Sequence, residues 1–479
     1  MFGDAVRGGA DSLTVGSEGS AVTTTIIETL ETIDDLDLLI SADSTSAYAH
    51  DRAVWAAYDV PVAVVRPRTT EQVRAVVAAC IEHHTPVVTR GAGTGLSGGA
   101  NATADAVVVS LEEMDQVLEV DVEHRLARVQ PGLVNDNFRA ALVEHDLWYP
   151  PDPASSPWST IGGNVATNAG GMCCVKYGVT GDYVRELEVV TGTAEVVRLG
   201  RRTAKGVAGY DLRGLMVGSE GTLGIVTEVV VKLRPLPPEP TTVIGNFDSL
   251  EDAGRAVALI GASGVAPSLL ELVDRGCLEA VDAWRNMGLA SEADAVLIAR
   301  SDAPGASGEQ EVAELLRCFE EAGATYTAAS TDAQESEALY AARQLAFPAM
   351  ERLGVVLTED ICVPLSRVPD VLGQLRAIGD RHDVKLATIA HEGDGNLHPL
   401  LVTPPGDEAA GLRAQAAFDE IIQVALEAGG TVTGEHGIGL LKRDGLGREL
   451  SPAVARMHHA VKAALDPHGI FNPGKALPI

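Results

Sequence analysis

A chain of 479 residues is too long for one compact core and predicts two or three domains. Its 46% hydrophobic and 22% charged residues are ordinary for a globular protein and leave disorder as an option only at the start. With 36 Lys+Arg against 67 Asp+Glu, the net charge of -31 repels phosphate backbones and anionic lipid, which excludes nucleic acid and membrane surfaces as general partners.

Residues 1–25 are rich in Gly, Ser, Thr and acid without periodicity and are expected to form a mobile arm. They lack a cationic start ahead of an apolar core, so no secretory leader is expected. A helix is expected over Thr24–Ile40, where Ile26, Ile27, Leu30, Ile33, Leu36 and Leu39 recur at helical spacing. From Pro61 a β-α-β rhythm begins: strand Val62–Val65, a helix capped at Thr70 and carrying Val73, Val76, Val77 and Cys80, then strand Pro86–Thr89. Short strands follow at Val107–Leu111, Val117–Val120, Leu126–Val129, Glu186–Thr191 and Gly224–Leu233. Pro235, Pro237, Pro238 and Pro240 mark a boundary, giving a first domain over 26–236, a second over 237–465 and a tail over 466–479.

The second domain alternates expected strands (Val243–Phe247, Ser268–Val273, Ala295–Arg300, Val355–Val363, Lys385–Ala390) with helices Ser249–Ile260, Gly308–Ala322, Val368–His382 and Ala409–Ala428. An antiparallel sheet covered by helices on one face suits that order, and the fold class is α+β. The six cysteines include no C-x-x-C pair, so neither a zinc knuckle nor an iron–sulfur cluster is encoded. Reduced thiols in the cytoplasm are the simpler expectation. No apolar run approaches the roughly 20 residues that a membrane span needs.

Three segments put small residues where a side chain would obstruct a ligand. The first, Arg90-Gly91-Ala92-Gly93-Thr94-Gly95-Leu96-Ser97-Gly98-Gly99, directly follows a strand, and its backbone N–H groups are able to form a nest for a pyrophosphate. The second is Ser159-Thr160-Ile161-Gly162-Gly163-Asn164-Val165-Ala166-Thr167-Asn168-Ala169-Gly170-Gly171, and the third Gly218-Ser219-Glu220-Gly221-Thr222-Leu223-Gly224-Ile225. Neither the nicotinamide fingerprint nor the P-loop spacing is present.

With Lys176-Tyr177-Gly178 and Gly209-Tyr210-Asp211-Leu212, these segments resemble the FAD domain of the vanillyl-alcohol-oxidase/p-cresol-methylhydroxylase superfamily. The resemblance is to the branch of D-lactate dehydrogenases, glycolate oxidase flavoprotein subunits and D-2-hydroxyglutarate dehydrogenases, and runs from about Tyr48 to Phe471-Asn472-Pro473-Gly474-Lys475. It implies a two-domain flavoprotein, with an N-terminal p-cresol-methylhydroxylase-type FAD-binding domain and a C-terminal antiparallel-sheet substrate (cap) domain. Arg90 and Gly91 to Leu96 would hold the pyrophosphate. Pro151-Asp152, Thr160, Gly163, Asn164, Ala166, Asn168, Gly171 and Tyr177 would line the flavin. Gly224 and Ile225 would sit near the adenine, and Asn472 would return toward the isoalloxazine. The first loop has no linking His, so non-covalent FAD is expected.

Downstream, Asp394-Gly395 is a hairpin signal that lets His391 and His398 face each other, and Gly434-Glu435-His436-Gly437 offers a carboxylate and another imidazole. Two His and one Glu form an open catalytic metal set. The resemblance implies that His391, His398 and Glu435 hold a divalent metal, zinc or manganese, with His436 the catalytic base. It likewise implies that Arg343 grips the substrate carboxylate, as a guanidinium fork suits. Dicarboxylate-oxidising relatives carry a Lys where this chain has Thr358, beside Glu359 and Asp360. That departure favours a monocarboxylate.

The expected activity is therefore FAD-dependent oxidation of D-lactate or glycolate, hydride passing to flavin N5 and electrons to an external quinone, carrier protein or partner subunit. A homodimer is compatible with this expectation. Alternatives are D-2-hydroxyglutarate as substrate, a flavin enzyme of an aryl alcohol or ether-lipid precursor, and a non-catalytic FAD-binding subunit of a larger oxidase.

Overall fold

The computed structural model describes residues 18–287 and 293–478. The expected mobile arm falls mostly on residues 1–17, outside the described residues; from Glu18 the backbone is already helical, through Glu31. The helix expected to reach Ile40 ends there. Asp35 adopts a left-handed φ of 53°, which helices do not propagate through, and Asp37–Leu39 departs as a strand against Ala63–Arg66. Leu36 and Leu39 fit a helical period as well as a strand, so their spacing misleads.

The first domain holds two sheets. One has the order Asp37–Leu39, Ala63–Arg66, Val107–Ser110, Val87–Arg90, the last three strands parallel. Parallel strands need a crossover, and helix Thr70–Glu82 supplies it, burying Val73, Val76, Val77 and Cys80. Its cap is Thr69 rather than Thr70: the Thr69 hydroxyl accepts from Gln72 N at 3.2 Å, and the Gln72 side chain accepts from Arg68 N at 2.7 Å. The other sheet is antiparallel, in the order Val117–Asp121, Leu126–Val129, Ile225–Lys232, Val184–Val190, Val196–Gly200. Strand Val87–Arg90 runs directly into the first glycine-rich loop, and ligands of parallel sheets gather at such carboxyl ends.

In the second domain Tyr326–Ala329, Thr241–Phe247, Ala295–Ser301, Leu269–Asp274, Lys385–His391, Asn396–Thr403 and Val355–Thr358 lie side by side, with Ile361–Cys362 also on Asn396–Thr403. Every pairing is antiparallel. Helices cover both faces, not one as expected. Along one strand, Leu270 and Leu272 pack with Val257, Leu315 and Val371, while Leu269 and Val273 pack with Val281, Ala346 and Met350. A period of two divides a strand between two cores in this way. The strand expected over Val355–Val363 breaks at Glu359-Asp360.

The chain returns to the first domain earlier than the tail expected at residue 466. On helix Pro452–Leu465, Lys462 donates to the carbonyls of Thr222 and Phe471, each at 2.7 Å. Fully buried Phe471 then joins the core of the parallel sheet, with Val87 N bonded to Ile470 O and Asn472 N to Val87 O, both at 2.8 Å. Among the described residues no helix is long and apolar enough to cross a membrane.

Candidate active site

Between the domains lies a cavity of about 1040 Å³, at the upper end of the roughly 300–1,000 Å³ usual for ligand pockets and suited to a dinucleotide. All three glycine-rich segments line it, through Gly91 to Leu96, through Thr160, Gly163, Asn164 and Ala166, and through Ser219, Glu220, Gly221 and Gly224. The middle segment contains a helix that its glycines concealed, Ile161–Thr167, capped by the Thr160 hydroxyl accepting from Gly163 N at 3.2 Å. That cap requires a bare backbone opposite: a Cβ on Gly91 would stand 2.5 Å from Thr160 Oγ1. The first glycine-rich wall therefore closes on the second where Gly91 leaves room for the Thr160 hydroxyl, and the cradle fits FAD.

Arg343, His391, His398, Glu435, His436 and Asp152 line the same cavity. Strands Lys385–His391 and Asn396–Thr403 form the expected hairpin, pairing Ile389 with His398 and His391 with Asn396 around Gly395 at φ 71°. His391 and His398 thus lie on one face, ring centroids 5.1 Å apart. Their Nε2 atoms stand 3.1 and 3.3 Å from a single oxygen of Glu435. Room for that carboxylate comes from the flavin domain, since a Cβ on Gly170 would meet Glu435 Oε2 at 2.4 Å.

The electrostatics suit a cation. Burial opposes charge on His391, but Glu271 and Glu435 outweigh it and hold its pKa well above the ordinary value. Burial likewise pushes Glu435 up, yet the two imidazoles hold it well below the carboxylate range. His391 Nδ1 lies 2.7 Å from Glu271 Oε1; donating there leaves Nε2 free to ligate, an orienting arrangement common in metal sites. Two imidazoles and a carboxylate within 4.8 Å of one another fit a divalent metal.

The His436 ring stacks on His398 at 4.8 Å and 14°. Burial lowers its pKa to about 4, so the ring is neutral near pH 7 and able to accept a proton. Its Nδ1 lies 4.0 Å from Asp360 Oδ2 and its Nε2 3.9 Å from Glu435 Oε1, so the ring stands between two carboxylates.

Asp360, which the sequence did not single out, organises this loop. Its Oδ2 accepts from Thr433 Oγ1 at 2.7 Å and from the backbone N–H groups of Gly434, Glu435 and His436 at 3.0, 3.0 and 2.8 Å. Asn396 Nδ2 occupies Oδ1 at 2.8 Å. Burial pushes Asp360 up, but His436, Lys442 and His398 together hold it well below its ordinary value. A carboxylate so fully bonded is an anchor rather than a metal ligand. From the opposite side Glu220 accepts from Ile438 N and Gly439 N at 2.8 and 2.7 Å, so both domains grip the loop that carries His436.

Arg343 sits on helix Ala333–Glu351, which sequence periodicity did not predict. Its Nε donates to Glu271 Oε2 at 2.7 Å, joining Arg343, Glu271, His391 and Glu435 in one chain. Among the described residues no protein acceptor engages its terminal amino groups, which leaves them for a ligand.

Several residues expected to touch the flavin are not among those that line the cavity. Arg90 curls beneath Gly93 and donates to His50 O at 2.8 Å, bracing the loop from behind. Pro151 accepts from Asn135 Nδ2 at 3.1 Å. Asn168 closes helix Ile161–Thr167 at φ 51° and accepts from Gly181 N at 2.8 Å. Gly171 packs on the Asp152 backbone, the Tyr177 hydroxyl bonds Asp302, and Ile225 is buried in the core of the parallel sheet. Asn472 ties two cavity walls together, donating to Gly99 O at 2.9 Å and Glu220 O at 2.7 Å. Glu359, next to Thr358 in sequence, pairs with buried Lys442 at 2.9 Å.

A dinucleotide-sized cavity shared by two domains, with proton-accepting and cation-holding side chains at their junction, is the architecture of a flavin-linked oxidoreductase. Residues 61–200 match the family described as FAD binding domain, and residues 236–476 match FAD linked oxidases, C-terminal domain. The chain is 38% identical over 449 residues to the glycolate oxidase subunit GlcD of Bacillus subtilis (strain 168), covering 93% of this chain and 94% of that one. It is 35% identical over 469 residues to a D-lactate dehydrogenase of Anaerostipes hadrus, covering 95% and 97%. The p-cresol methylhydroxylase structure shares the fold at TM-score 0.79 and 18% identity, over 95% of this chain and 96% of that chain. This chain belongs to the FAD-linked oxidase family and is an FAD-dependent oxidoreductase acting on CH–OH donors.

Proposed function

We propose that the enzyme oxidises a small D-2-hydroxy monocarboxylic acid, glycolate or D-lactate, to the 2-oxo acid. The observation that carries this is the convergence of His391 and His398 on Glu435 in the cavity that also presents Arg343. The names of the relatives, glycolate oxidase subunit and D-lactate dehydrogenase, support the same substrate class.

The substrate carboxylate docks on the terminal amino groups of Arg343, whose planar fork matches two oxygens. Glu271 holds that fork in place while orienting His391, so carboxylate and hydroxyl are positioned by one hydrogen-bonded chain. His391, His398 and Glu435 would hold a divalent cation, zinc or manganese, which would supply acidification of the substrate hydroxyl. The His436 imidazole takes the hydroxyl proton as the Cα hydrogen leaves with its electron pair. Bound FAD supplies the two-electron acceptor. Electrons then pass to an external acceptor, a quinone, a carrier protein or a partner subunit. A subunit that only carried flavin, or an oxidase of aryl alcohols, would not need this set.

The test is anaerobic mixing of the purified flavoprotein with D- and L-2-hydroxy acids while following the flavin band near roughly 450 nm. Expected is rapid bleaching by glycolate or D-lactate and slow bleaching by L-lactate; an inert flavin with every hydroxy acid would overturn the proposal.

A further inference from the structure

A second cavity, of about 370 Å³, adjoins the first, and Asp51, Arg52, Leu96, Phe347, Glu351 and Thr358 line both. In the wall between them Arg52 of the flavin domain forms an ion pair with Glu351 of the second domain. The Arg52 guanidinium carbon also lies 5.8 Å from the Phe347 ring centroid. Its backbone is fixed from the flavin side, with Arg52 N donating to Gly95 O at 2.9 Å. Arg343, Phe347 and Glu351 follow one another at intervals of four along helix Ala333–Glu351, so they share a face, and Arg343 to Glu351 spans ~12 Å of axis. The Arg52–Glu351 pair therefore lies on the same helix face and the same cavity wall as Arg343.

We infer that this pair is the specificity filter of the substrate pocket, admitting small uncharged tails and rejecting a second carboxylate. The inference rests on hydroxy-acid oxidation in the same cavity and names what sets its substrate range. Arg52 is a second cation on the wall of that cavity, but Glu351 already neutralises it and presents like charge to an incoming carboxylate. Thr358, on the shared wall, adds no charge. Glu359 and Asp360, though adjacent in sequence, spend their charges on Lys442 and the 433–436 backbone. Glu351 is thus the acid that opposes a dicarboxylate.

The side chains of Arg52 and Glu351 are 44% and 39% exposed, and a pair so open to water adds little to stability. Glu351→Gln should therefore fold and bind FAD, leaving Arg52 as an unmatched second cation. In the full-length holoenzyme, the ratio of kcat/KM for D-2-hydroxyglutarate over D-lactate should rise about tenfold or more, as expected when like charge at a contact is removed. The double variant Arg52→Gln, Glu351→Gln should lose that gain. Should the amide variant fail to accumulate, Glu351→Ala reads the same ratio. A ratio within about twofold of the native value, or an equal gain in the double variant, would overturn the filter. Failure of glycolate and D-lactate to bleach the native enzyme would instead overturn hydroxy-acid oxidation itself, so the two failures are distinguishable.

Discussion

Replacing His436 with alanine is expected to leave a yellow protein whose flavin D-2-hydroxy acids no longer reduce at a useful rate. Burial keeps the ring neutral near pH 7, with a pKa lowered to about 4, and general-base catalysis of this kind contributes ~10²–10⁴-fold. The substitution is structurally mild. His436 Nδ1 has no hydrogen-bond partner, and the loop is held through the backbone N–H of His436, which Asp360 accepts at 2.8 Å. Stopped-flow reduction under anaerobic conditions reads the loss directly, and the retained absorbance of bound FAD separates it from misfolding. Reduction at the native rate would remove His436 from the proposed mechanism.

The second large effect is expected at Arg343. Its pair with Glu271 is buried, 4% and 0% exposed. Arg343→Met would therefore strand a carboxylate in the interior and cost about 3–5 kcal/mol of stability, confusing two effects. Arg343→Lys keeps a cation for Glu271 but cannot present a fork. A charge-assisted hydrogen bond contributes about 1.5–3 kcal/mol, so losing one lowers kcat/KM for the hydroxy acid by about 10- to 150-fold at ~1.4 kcal/mol per decade. The weight should fall on KM. Native kinetics in the lysine variant would mean that the carboxylate binds elsewhere.

How much of this was legible in the sequence depended on how far apart the partners lie. His391 and His398 flank Asp394-Gly395, so a local turn signal was enough to bring them to one face. The strands of the first domain and helix Val368–His382 followed from periodicity for the same reason. Glu271 reaches His391 only because strand Leu269–Asp274 pairs with Lys385–His391, a register joining positions 120 residues apart. Asp360 and Lys442 are equally non-local to their partners. A signal did exist: Glu359-Asp360 interrupts an apolar run, and buried acids need partners. Helix Ile161–Thr167 stayed hidden because it opens on Gly162 and Gly163, poor helix formers, the first of which is there to clear Pro131. Arg90, Asn168 and Asn472 belong to the motifs of the site but act on its framework.

The most direct test of the proposed chemistry is to strip divalent metal with a chelator, verify its removal by elemental analysis, and repeat anaerobic flavin reduction with glycolate or D-lactate. Expected is a protein that keeps its FAD, is no longer bleached by substrate, and regains reduction on addition of zinc or manganese. Metal-depleted enzyme reduced at the native rate would contradict the role given to His391, His398 and Glu435.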